Sequence, residues 1–211
     1  LAEADTGMFR RPAAQANHDL SSWAGQLNKR GLKTRGVALG GNTAIPQNTS
    51  VLVIASPRVK FLAGEIRQIE QYLARGGNLL WLVEPGPLQG LERVAESLGV
   101  EVQRGTVVDP ASMSLTGTAA NFIVVSHFGA HPAVQGFDLM TLFPEAAALN
   151  VQPPKGWEQR VIIDSAASAW LETGAATGAP RFDPGQDMRG PVNIAVSLTT
   201  GILCFRASAR N

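Results

Sequence analysis

A single cysteine, Cys204, stands among 211 residues. It has no partner for an internal disulfide, and one thiol is too few for a cysteine-based zinc site. Set inside the apolar run GILCF, it reads as a small buried hydrophobe. Charge of one sign is also missing. The formal net charge is +1, Lys and Arg are scattered, and Arg10-Arg11 is the nearest thing to a run. The whole-chain balance therefore shows no footprint for nucleic acid or anionic lipid, and no nucleic-acid partner is expected. No apolar run reaches the ~20 residues that span a bilayer. Leu1 stands where a start methionine would, with no basic and apolar leader after it, so the chain reads as a piece of something longer.

Nucleotide and nucleophile motifs are missing too. G-x-x-x-x-G-K-[ST] and G-x-G-x-x-G are absent, so no phosphate cradle is expected. The strand-to-helix elbows G-x-S-x-G and G-x-C-x-G are absent as well. No cofactor and no metal are expected. His127 and His131 in HFGAH have the four-residue spacing of helical metal ligands, but Gly129 and Pro132 work against a helix there. Asn48-Thr49-Ser50 fits a glycosylation sequon, a short pattern that recurs by chance.

What is present is an ordinary globular composition, 45% apolar and 17% charged, at a length that favours one domain over 1–211. The first half, 15–110, alternates helix and strand. Leu20, Trp23, Ala24 and Leu27 fall on one helical face, with Asp19 as a candidate cap and Gly31 as the stop. A short strand, Thr34 to Leu39, leads to a Gly40-Gly41-Asn42 turn. VLVIASP, Val51 to Pro57, is apolar on both faces, as in the middle of a parallel sheet. AGEIRQIEQYLAR is a helix with Ile66, Ile69, Tyr72 and Leu73 on one stripe and Gly76 as its end. NLLWLVEP reads as a second double-faced strand, Leu88 to Leu98 as a helix closed by Gly99, and EVQRGTVVD as extended pieces ending at Asp109.

The pattern β-α-β-α-β with short links predicts an α/β fold with a doubly wound, mostly parallel sheet. The second half, 111–211, is less regular. MSLTGTAANF reads as a loop and ETGAATGAPRFDPGQDMRG as a long surface loop. Phe122 to Ser126, Arg160 to Asp164, Val192 to Leu198 and Ile202 to Arg206 read as strands.

In such sheets ligands sit beyond the carboxyl ends of the strands. Ser56, Glu84 and Asp109 each lie near one, and are the candidate ligand-binding residues. Against this, Glu84 and Asp109 both precede proline, which by itself ends an element and turns a carboxylate toward solvent. No matched second carboxylate supports acid/base catalysis, so no catalytic residue is assigned.

IPQNTSVLVIASP, and then EIRQIEQYLARGGNLLWLVEPGPLQGLERVAESLGVEVQRGTVVDP, resemble the soluble domain of the auxiliary component of gliding-motility-type ABC transport systems. His131-Pro132, Ser168-Ala169-Trp170, Asp187, Gly190-Pro191 and Ala195 match later segments, and the likeness runs over roughly residues 15 to 198. The resemblance implies a flavodoxin-like fold, akin to the class I glutamine amidotransferase-like group without its nucleophile. It further implies a periplasmic, extracytoplasmic domain of a membrane-anchored chain. That domain would bind a ligand or act as a scaffold beside the permease and ATPase subunits, without catalysis. Two departures stand out. Relatives open with a strand ending GHGER, where this chain has Gly7 and Arg11 but Met8, Phe9 and Arg10 between. Relatives also continue to GDSDF, where this chain stops at Asn211. The alternatives are a hydrolase of the amidotransferase-like or carbohydrate-processing kind, and a purely structural interaction module with a large apolar surface patch.

Overall fold

The computed structural model describes residues 2–3, 20–40, 44–174 and 180–200. Its contacts divide the chain into two compact units: Leu1–Val83 with Pro87–Val94, and Glu84–Gly86 with Ala95–Asn211.

The first unit is built from strands and helices in alternation. β1 (Ala2–Glu3) pairs in parallel with β2 (Val37–Ala38) and runs beside β3 (Val51–Ala55). Between β1 and β2 lies helix α1 (Ser21–Lys29). Helix α2 (Ala63–Ala74) then links β3 to β4 (Asn78–Leu82), and these two strands pair in parallel from Val51↔Asn78 to Ala55↔Leu82. Four residues of β3 are buried, as its apolar run predicts. On one face Val53 and Ala55 pack with Leu20 and Trp23.

α2 buries Ile66, Ile69 and Tyr72, which recur at helical spacing. Each contributes about 1.5–3 kcal/mol. The double glycine that ends it has two separate causes. Gly76 adopts φ +86°, and its N–H donates to Leu73 O while that of Gly77 donates to Tyr72 O, closing the last turn in a Schellman arrangement. Gly77 has ordinary backbone geometry, but a Cβ there would run into the Tyr72 ring. The Tyr72 hydroxyl donates to Asn78 O at 3.0 Å, tying helix to strand.

β4 differs from expectation. Its residues alternate between half-buried and exposed, and Leu80 and Leu82 are exposed. Among the described residues it pairs with β3 alone, so one edge and part of one face lack the neighbours a central strand would have.

Helix α3 (Glu92–Leu98) carries the chain into the second unit, where the expected topology fails. β5 (Val100–Val102) and β6 (Thr106–Val108) do not continue a parallel sheet. After helix α4 (Pro110–Thr116) come β7 (Phe122–Val125), β8 (Thr141–Pro144), β9 (Leu149–Val151), β10 (Trp157–Asp164), β11 (Trp170–Glu172), β12 (Met188–Arg189) and β13 (Asn193–Thr200). They form three antiparallel sheets, ordered β10-β13-β9-β5, β12-β11-β6 and β7-β8.

The doubly wound, mostly parallel, flavodoxin-like sheet is therefore corrected to a mixed α/β fold with mostly antiparallel sheets. The physical reason is the connections. A parallel neighbour needs a crossover of a dozen or more residues, usually a helix, and the described residues after Thr116 contain no further α-helix. Their apolar residues meet in one core drawn from several strands: Val107, Ile123, Val125, Ala146, Ala148, Ile163, Ala169, Leu171 and Val192.

The β7-β8 pair shows how its edge is formed. Glu145 N–H donates to Asn121 O at 2.8 Å, and Phe122 faces Pro144. That register turns the backbone groups of position 144 away from β7, so a proline sits there without costing a ladder bond.

The expected final strand Ile202 to Arg206, Cys204, the Asp19 cap, the Gly41-Asn42 part of the turn and the Gly7–Arg11 segment lie outside the described residues.

Candidate functional site

The three sequence candidates occupy different settings. Ser56 follows β3 in the first unit, half-buried, at φ +39°. Its N–H donates to Leu82 O at 3.0 Å, extending the β3-β4 ladder by one bond. A positive φ is uncommon for a side chain with a Cβ, and Pro57 follows directly. Glu84 belongs to the second unit, two residues past β4, and is exposed.

Asp109, also in the second unit, is only 3% exposed. The expectation that proline would turn this carboxylate toward solvent is corrected. Pro110 is the first residue of α4, where its missing N–H costs nothing, and Asp109 is the N-cap. Asp109 Oδ1 accepts from Ala111 N–H and from Ser168 Oγ, both at 3.1 Å, and Oδ2 accepts from Ser112 Oγ at 2.7 Å. Ser112 Oγ in turn accepts from Val124 N–H at 3.0 Å. One carboxylate thus joins α4, β7 and the segment before β11. Ser112 has its proton on Asp109 and a lone pair on Val124, and among the described residues no histidine or lysine is bonded to it. The group is a fixed set of hydrogen bonds rather than an activated hydroxyl. Sequence reading took MSLTGTAANF for a loop and missed α4. Its signature was on the page: Asp-Pro at the start, and Gly117 at φ +67° as the left-handed stop.

A second buried acid escaped the sequence reading. Glu172 in β11 accepts from Trp170 Nε1 through Oε2 and from Gly174 N–H through Oε1, both at 3.1 Å. Trp170 meets Phe182 edge to face, and the Arg189 guanidinium lies 4.0 Å above the Phe182 ring. These contacts close the end of the β12-β11-β6 sheet.

The same unit has an open cavity of about 580 Å³, whose lining includes Glu101, Arg104, Thr173, Gln186 and Asp187. Asp187 accepts from Asp183 N–H at 2.8 Å and from Thr173 N–H at 3.0 Å. Those backbone donors, that of Asp183 first, hold its carboxyl below the ordinary value of 3.8. The carboxylate thereby ties Thr173 to Asp183.

The two histidines lie on no common helix. His127 is exposed, with Nδ1 3.0 Å from Ser126 Oγ, and His131 Nδ1 accepts from Ala133 N–H at the head of a single 3-10 turn, Pro132–Val134. Among the described residues no group of three His, Cys, Asp or Glu could hold a metal ion.

Comparison with curated proteins finds no match. Among solved structures the chain is similar to one titled "mmIFT52 N-terminal domain", at 17% identity and a TM-score of 0.54 over 75% of each chain, a likeness of fold. Residues 17–201 match the family model described as "ABC-type uncharacterized transport system". That match covers most of the sequence, and the chain belongs to this family of auxiliary components of ABC-type transport systems.

Proposed function

We propose that this chain is a non-catalytic binding or scaffold domain of an ABC-type transport system, held on the extracytoplasmic side of the membrane beside a permease and an ATPase. Family membership over residues 17–201 carries this reading. The chemistry of the second unit supports it. Asp109 holds both Ser112 and Ser168 by hydrogen bonds, and among the described residues no histidine or lysine is bonded to Ser112 as a base. Ligand contact at Ser56 and at Glu84 is part of the proposal, to be probed one alanine variant at a time; at Asp109, whose carboxylate is buried and held by Ser112 and Ser168, such contact would have to displace those bonds. A role in gliding motility is the finer form of the same reading.

The test is chemical cross-linking of the parent protein in native membranes, followed by mass spectrometry. Cross-links to a permease and to an ATPase of one ABC system are expected, and protease added outside the cytoplasmic membrane should reach the domain. Hydrolysis of a generic ester or amide panel, lost on one point substitution, would instead establish the hydrolase alternative.

A further inference from the structure

The +1 of the whole chain conceals a division. By sequence the first unit holds 11 Lys and Arg against 6 Asp and Glu, a net +5. The second holds 7 against 11, a net −4. In the first unit a basic and apolar surface gathers in one loop, Pro57 to Leu62, between β3 and α2.

Phe61 fixes this loop. It is 4% exposed, and its N–H donates to Gln89 O at 2.8 Å. Its neighbours point outward: Val59 is 51% exposed and Leu62 68%, and Arg58 and Lys60 are exposed beside them. The Lys60 stem lies along Gly90, with Cγ 3.3 Å from where a Cβ would stand, which leaves the ammonium free to reach past the surface. One turn into α2, Arg67 extends back toward the same end. Its Nη2 is 3.8 Å from the Cβ position of Gly64. At the start of α2, Glu65 has Oε2 bonded to Leu62 N–H at 2.7 Å.

We propose that this loop rests on an anionic lipid surface, with Val59 and Leu62 entering the acyl boundary and Arg58, Lys60 and Arg67 facing the headgroups. Two projecting aliphatic side chains flanked by cations on a tethered turn have the chemistry of an interfacial contact. A protein partner is less well matched, since protein interfaces favour aromatic anchors and the one aromatic residue of this loop, Phe61, is buried. The inference does not depend on the transport assignment.

The experiment is co-sedimentation of the whole 211-residue chain with vesicles of phosphatidylcholine alone, and of phosphatidylcholine mixed with phosphatidylglycerol. Binding to the anionic vesicles only is expected, fading as salt rises. Arg58→Gln, Lys60→Gln and Arg67→Gln should each weaken it roughly fivefold, and Leu62→Ser should weaken it at constant charge. Circular dichroism checks that each variant is folded, and the salt titration of the unaltered chain stands if one is not. Equal sedimentation on neutral and anionic vesicles, or on neither, overturns the proposal. So does a triple variant that still binds. If the substitutions abolish self-association in sedimentation velocity and leave vesicles unaffected, the loop's occupant is the acidic surface of a second copy, and the lipid assignment fails.

Discussion

The first unit ties neighbouring strands with helices, while the second ties them with turns and shared carboxylates. In the first, α2 links the parallel pair β3-β4, and its Tyr72 hydroxyl is bonded to Asn78 O at the start of β4. In the second, antiparallel strands meet around one apolar core, and a buried acid together with the serine it holds links three segments. The contrast teaches where stability is concentrated. A helix-bridged pair depends on spacing and close packing, so its weak points are glycines and core side chains. An antiparallel assembly with short links depends more on polar groups that fix its loops.

The largest effect is expected at the second unit's joint. Asp109→Ala removes the α4 cap and strips Ser112, Ser168 and Ala111 of their acceptor. It should cost about 2–4 kcal/mol in urea unfolding. Hydrogen exchange should rise first across α4 and β7. If β3 and α2 lose protection equally, the division in how the two units are held is wrong.

Gly77→Ala tests the first unit. A Cβ against the Tyr72 ring must displace it, at about 1–3 kcal/mol, with tyrosine fluorescence or aromatic NMR shifts reporting the movement. The same substitution at Gly64 meets only the flexible end of Arg67, so it should be tolerated. Comparing the two melting curves separates steric from conformational cost.

Glu65→Ala is expected to be milder. Leucine offers no side-chain acceptor at the start of α2, so only the Leu62 N–H to Glu65 bond of a reciprocal cap exists. Its loss should lower stability by about 0.5–1 kcal/mol.

The smallest effect concerns pH. Asp187 has a folded pKa below its ordinary 3.8, so its contribution is present above that value and disappears as pH falls through the depressed one. Asp187→Asn should flatten stability against pH below about 4 and, at neutrality, lose the small stabilisation that the ionised carboxylate supplies. An acid limb identical to that of the unaltered chain would place the linkage elsewhere.

These comparisons mark what was legible in the sequence. α1, α2, β3 and the glycine stops could be read because their signals are local: apolar periodicity over a dozen residues, or a left-handed residue at a helix end. The pairing direction of β5 and β6 could not, because it is set by β9 and β11, more than forty residues further on. Short apolar runs look alike in parallel and antiparallel sheets. α4 was legible and was misread, since Asp109-Pro110 was taken as an ending when the same pair begins a helix. The loop at Arg58 was hidden by averaging over the chain, because its charge has meaning only beside the outward side chains of Val59 and Leu62.

Pro144 has one further consequence. Any strand that approached β8 from outside would meet, at that position, a ring where it needs a hydrogen-bond donor, and could not zip along it. A short hairpin with apolar side chains is thereby kept from templating fibres, through the loss of a single hydrogen atom from the backbone.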